Sequence, residues 1–188
     1  MTKSADAQQF LFNTLWKNAI PIEERLREIE YGIKVGFVDT IRDPKEIRKI
    51  CFDIITSTTK ELSIIFPTAN GFYGLGKEGI ISLLEKMGTH GVQIRILTPM
   101  DNKITKVALY INKKYNQIEI KPITNQQTIS SIIITSDGKF SLVIELKDEE
   151  IPSFIDSIRL AVYSNITSNV WTYTTLFENL WVQSDITV

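Results

Sequence analysis

SSIIITSDGKFSLVIELK, residues 130–147, reads as two β-strands joined at Asp137-Gly138. An Asp-Gly pair between apolar runs signals a tight hairpin, because both central positions of that turn need a positive φ. The first strand sets Ser130, Ile132 and Asp137 at relative positions 0, +2 and +7. That is the spacing of a catalytic motif, His-x-Lys-x4-Asp. Residues two apart on a strand point to one face, so the intact motif presents a nucleophilic imidazole and a charge-neutralising ammonium to one phosphate. Here a hydroxyl and a hydrocarbon hold those positions, and the turn alone accounts for Asp137. By itself the hairpin reads as structure.

Working outward, ELSIIFPT (61–68) is a short Ile-rich strand, residues 77–87 are helical and end at Gly88, and VQIRILTPM (92–100) is a second strand. Strand, helix and strand in this order make a βαβ unit with parallel strands. The intervening TANGFYGLG reads as a flexible loop. A helix after Asp101 carries Ile104, Val107, Ala108 and Ile111, and QIEIKPI (117–123) is a third strand. Upstream, Asp43 caps a helix with Pro44 in its first turn and Glu46 three residues after the cap. Its apolar stripe is Ile47, Ile50, Cys51, Ile54 and Ile55. The tail reads as two helices, 150–163 and 168–183, the second with Tyr173, Leu176, Phe177, Leu180 and Trp181 at helical spacing. Near the start, Phe12, Leu15, Trp16, Ala19 and Ile20 follow the same period until Pro21 interrupts it. The expected fold is α/β, a mixed sheet of about five strands sandwiched by helices. Residues 1–36 form a helical extension, 37–167 the α/β domain, and 168–188 an aromatic C-terminal helix.

Composition narrows the function. A formal charge of −1 speaks against a nucleic-acid partner. Lys103, Lys106, Lys113, Lys114 and Lys121 lie close in sequence and read as a solvated helix face. One cysteine leaves no intramolecular disulfide and no cysteine-cluster metal site, and Cys51 reads as an inert core residue. No run approaches a membrane span and no signal peptide is seen, so the chain is expected to be cytoplasmic, with no metal and no cofactor. His90, the only histidine, sits between glycines in GTHGV and reads as structural.

GLGKEG, with Gly74, Gly76 and Gly79, has the spacing of a dinucleotide-binding loop, and Asp101 follows the next strand. That mechanism needs the first glycine in the turn that ends the strand. Six residues, TANGFY, separate Pro67 from Gly74. Nucleotide binding, or a divergent phosphodiesterase using this 74–79 loop, is therefore the alternative reading.

The order of helix, βαβ unit, hairpin and aromatic helix resembles the phospholipase D-like fold. AVYSNITSNVWTYTTLFENLW (161–181) is similar to the small-polar turn, helix and terminal Leu-Trp that follow the catalytic hairpin there. With FLFNTLWKNAIPIEERLREIEYGI (10–33) and SLVIELKD (141–148), it also resembles the input domain of certain archaeal sensor histidine kinases. The resemblance implies a sensory domain, dimeric, without the catalytic motif and so not an enzyme. A downstream kinase module would lie beyond Val188 or on another polypeptide. It implies a small-molecule ligand in the crevice beyond the carboxyl ends of the parallel strands. Thr68, Asn70, Tyr73 and Thr98 are the candidate hydrogen-bonding groups, Phe72 the apolar cover, and Ser130 faces the same space if its strand keeps the family position. Trp16, Ile20, Phe177, Leu180 and Trp181 are the candidates for dimer packing and signalling.

Overall fold

The computed structural model describes residues 36–123, 129–147 and 153–186, all within one compact unit, Gly36–Val188. Trp16, Ile20 and the expected N-terminal helices up to residue 35 lie outside the described residues. The strands are β1 (Val38–Ile41), β2 (Glu61–Ile65), β3 (Gln93–Thr98), β4 (Ile118–Pro122), β5 (Ser131–Ser136), β6 (Phe140–Leu146) and β7 (Ile158–Ser164). The helices are α1 (Pro44–Ser57), α2 (Ala69–Lys77), α3 (Ile80–Thr89), α4 (Asn102–Lys114), α5 (Phe154–Ser157) and α6 (Thr167–Ile186). One sheet holds all seven strands in the order β1-β7-β6-β5-β2-β3-β4. Strands β2, β3 and β4 run parallel, and the remaining pairings are antiparallel.

The architecture is the expected mixed α/β sandwich, with seven strands where the sequence suggested about five. The missed ones are β1 and β7. Three of the four β1 residues are exposed, so that edge strand carries no apolar signature. Residues 158–164 were read into a helix because Phe154, Ile158 and Ala161 fall at helical spacing. The register shifts between Glu145 and Leu146, and this irregularity lets Ile158 and Ala161, three apart, enter the same core. A bulged strand thus imitates a helical period.

Alternation along the central strands builds two cores. Ile64, Ile96, Ile132 and Ile134 face the larger one with Ile47, Leu75, Leu84 and Ile104 from α1 to α4. Their neighbours Ile65, Leu97 and Ile133 face the opposite side. There α6 lays Phe177, Leu180 and Trp181 across the sheet, with Phe177 and Trp181 stacked at 5.4 Å. Each of these side chains contributes about 1.5–3 kcal/mol on burial. Cys51 is buried in the larger core, and desolvation pushes its thiol up to about 12 against the opposing Arg48 charge, so it stays protonated and inert.

The region read as a flexible loop is helix α2. Thr68 caps it, its hydroxyl accepting from the Gly71 N–H at 3.1 Å. Gly74 lets α2 approach α5, where an added Cβ would lie 3.3 Å from Phe154 Cβ. Gly79, at φ 89°, breaks α2 from α3. Three glycines in one short segment suppress helix propensity, and here close packing overrides it.

The 137–138 turn has φ 53° at Asp137 and 63° at Gly138, as a two-residue hairpin requires. The Asp137 carboxylate also reaches the start of β2. It accepts from the N–H groups of Thr59 (3.0 Å), Lys60 (2.8 Å) and Glu61 (3.0 Å), and from the Thr59 hydroxyl (2.9 Å). Partial burial works to raise its pKa, but the donors outweigh it and hold the carboxyl below its usual range. A depressed carboxylate stabilises the fold above its unfolded pKa, and that stability is lost as pH falls through the folded value. Asp137→Ala should cost about 2 kcal/mol or more in urea unfolding near neutral pH. The wild type should also lose stability more steeply than the variant below about pH 4. Equal acid slopes in the two proteins would exclude the clamp.

Candidate functional site

The parallel ends of β2 and β3 place two chain segments side by side, 66–77 and 98–107. Asp101 caps α4, accepting from the N–H groups of Lys103 and Ile104, both at 2.8 Å. The Tyr73 hydroxyl donates to the same carboxylate at 2.7 Å, bracing α2 against α4. The bond from Tyr73, and then the Ile104 N–H, hold the Asp101 carboxyl below its ordinary value. Burial first, and the donated bond second, push the Tyr73 phenol up to about 12. The hydroxyl therefore remains a donor across the physiological range.

Beside this brace lies a cavity of about 510 Å³ between α2, α3 and α4. Phe72, Ile81 and Val107 give it apolar walls, with Gly76 leaving room. Asn70, Tyr73, Lys77 and Lys103 supply polar groups. Its size falls in the range of small-molecule sites. Phe72 is buried and meets Phe66 edge-to-face at 5.4 Å, so this wall is rigid.

Of the six ligand candidates, the structure brings Asn70, Phe72 and Tyr73 together at the cavity. Thr68 is spent as the α2 cap, and Thr98 is fully buried, its hydroxyl directed to the Pro99 carbonyl at 3.3 Å. Ser130 is exposed just before β5 and does not line the cavity. Lys77, Ile81, Lys103 and Val107 were not singled out as site residues. Lys103 and Val107 stand four apart on one helix, a visible pattern, but their partner wall is visible only once residues 69–77 are known to be helical.

Ile132 fills the motif's lysine position with hydrocarbon. It is fully buried, and a Cβ added at Gly71 would lie 3.6 Å from its Cδ1. The 74–79 glycines belong to the end of α2 and the break before α3, so no strand-ending phosphate cradle forms there. His90 follows α3, its Nδ1 2.7 Å from the Lys86 carbonyl. Among the described residues no group of three His, Cys, Asp or Glu side chains is placed to hold a metal, and no helix is long and apolar enough to cross a membrane.

The lysine group divides. Lys103, Lys106, Lys113 and Lys114 lie on α4, whereas Lys121 sits 4.3 Å from the Trp181 ring and pairs with Asp185 at 2.6 Å and Glu119 at 3.2 Å. Phe177, Leu180 and Trp181 are buried against the sheet within the chain.

No protein-family model matches the chain, and no curated protein matches it. Solved structures do. NucT from Helicobacter pylori superposes with a TM-score of 0.60 at 12% identity, over 80% of this chain and 98% of that one. Nuc from Salmonella typhimurium, a phospholipase D family member, gives 0.56 at 14%, over 79% and 96%. TrmBL2, an archaeal chromatin protein with a novel mode of DNA binding, gives 0.56 at 15%, over 96% and 66%. The fold is phospholipase D-like. One expectation is thereby corrected. Nuc is a phospholipase D family member, so the shared fold gives no ground for excluding catalysis. The inference that the chain is not an enzyme, drawn from two replaced residues on one strand, does not stand.

Ile132→Lys places an ammonium in a fully buried apolar site. It should destabilise by about 3 kcal/mol or more, read as a lower urea midpoint. A variant as stable as the wild type would show that position 132 still opens to solvent.

Proposed function

We propose that the chain is a sensory, regulatory domain that binds a small molecule in the cavity between α2, α3 and α4 and passes the event to its terminal helix. The supporting observation is the double engagement of β3 and the turn that follows it. On one side of the sheet, Asp101 holds Tyr73 at the cavity. On the other, the Arg95 guanidinium grips both oxygens of Glu178 on α6, one of them at 3.0 Å. The same guanidinium lies 5.1 Å from the Phe177 ring and 5.5 Å from the Trp181 ring. A ligand that favours one spacing of α2 against α4 thereby biases the seating of α6, and differential affinity for the two seatings is the signal.

In this reading Asn70, Phe72 and Tyr73 meet the ligand. Thr68 and Thr98 hold the ends of α2 and β3 in place, and Ser130 stands at the edge of the degenerate strand. Phe177, Leu180 and Trp181, with Trp16 and Ile20, carry the response to a homodimer partner and to a downstream module of the histidine-kinase kind. A saturating ligand at a hundred times its Kd should stabilise the chain by about 2.7 kcal/mol. In a Trp16→Phe/Trp171→Phe background its binding should change Trp181 fluorescence. Arg95→Met should abolish that change while leaving affinity within about threefold. Tight binding that leaves Trp181 emission untouched would sink the coupling.

A second reading, nucleic-acid binding, has one observation in its favour. Helix α4 contains no acidic residue and sets Lys103, Lys106, Lys113 and Lys114 around an exposed Tyr110. TrmBL2, which shares the fold, binds DNA. The overall charge of −1 weighs against it. Duplex affinity that falls steeply with salt and drops in Lys106→Gln/Lys113→Gln would favour this reading over the first.

A further inference from the structure

We infer that the cavity selects a small organic monoanion, a carboxylate with an aromatic or branched apolar body. The inference rests on reading this cavity as the ligand site, and goes further by naming the chemistry it accepts.

The cavity's character divides cleanly. Its walls are Phe72, Ile81 and Val107, which offer a ligand dispersion and desolvation but no hydrogen bonds. Its charged groups are two ammonium-bearing side chains, Lys77 from the end of α2 and Lys103 from the first turn of α4. Neither forms a salt bridge among the described residues. No carboxylate is among the lining residues. Asp101, which caps α4 beside the cavity, has its oxygens engaged by the Tyr73 hydroxyl and the N–H groups of Lys103 and Ile104. A cationic ligand would face two like charges with no carboxylate on the lining to offset them. A neutral apolar ligand would leave both ammonium groups to water alone. An anion with an apolar body satisfies walls and rim together.

The same geometry speaks against a nucleotide. Polyphosphate recognition needs converging backbone N–H groups at the end of a strand. The glycines that might supply them lie inside α2 or at its junction with α3, and the first turns of α2 and α4 are closed by Thr68 and Asp101. Two lysines on flexible stems suit a single compact negative charge.

The test is calorimetric titration of the full chain with phenylacetate, indole-3-acetate and 4-methylpentanoate, each beside its neutral primary amide and the corresponding primary amine. At least one carboxylate should bind, with its amide about tenfold weaker or more, and the amines weakest. Lys77→Gln/Lys103→Gln should reduce the carboxylate to the affinity of its amide without lowering the Tm of the free protein. Lys49→Gln/Lys86→Gln, neither of which lines the cavity, should change nothing. Val107→Trp, which puts an indole into the cavity, should abolish binding of every series. Amide or amine binding equal to that of the carboxylate overturns the charge selection and leaves the cavity reading standing. Carboxylate binding that survives Val107→Trp overturns the cavity itself. Absence of binding by all three series overturns the inference.

Discussion

Adjacent residues on a β-strand face opposite sides, and in β2, β3 and β5 both of those sides are buried. Ile64 and Ile65, Ile96 and Leu97, Ile132 and Ile133 are each a pair of neighbours assigned to different cores. The central strands cannot slip by one residue without inverting both packings at once, so register is strongly specified. The same arrangement makes the sheet a thin partition. Arg95 lies on β3 and Asp101 three residues beyond its end, so the contacts each makes bear on one short segment of chain.

The two faces are not equally supported. Among the described residues five helices cover the larger core, and α6 is the helix that covers the second. Apolar side chains occur all around α6: Phe177, Leu180 and Trp181 point inward, and Trp171 and Val182 are exposed. Its seating depends on a few aromatic contacts and on ionic anchors from β3 and β4, Arg95 to Glu178 and Lys121 to Asp185. These pairs are partly exposed and contribute modestly by themselves, about 0–1 kcal/mol each. Their use is positional, holding cations over the Phe177 and Trp181 rings. An element held by few, directed contacts is suited to moving between two seatings.

Asp137 holds the hairpin to residues 59–61, at the entry to β2, through four accepted hydrogen bonds. That role requires an acceptor in the left-handed region and no particular chemistry at positions 130 and 132. Ile132 is fully buried in the larger core. The likeness to NucT and Nuc concerns this frame and not the side chains it carries.

Much of the frame was legible in the residues themselves. The βαβ unit, the Asp-Gly hairpin, the capped helix at Pro44 and the aromatic terminal helix all announce themselves through local period and turn chemistry. The strand 158–164 did not, because a register shift opposite it gave a helical spacing to residues on one strand face. Helix α2 did not, because its glycines argue against a helix unless Phe154 is known to press on Gly74. Asn70, Phe72 and Tyr73 could be named from their place after a strand. Their assembly with Lys77, Ile81, Lys103 and Val107 could not. Period and capping are properties of neighbours in sequence, so the chain alone determines them. A cavity is the space left when distant segments fail to fill it, and only the packing of α2, α3 and α4 decides where that space lies and which charges rim it.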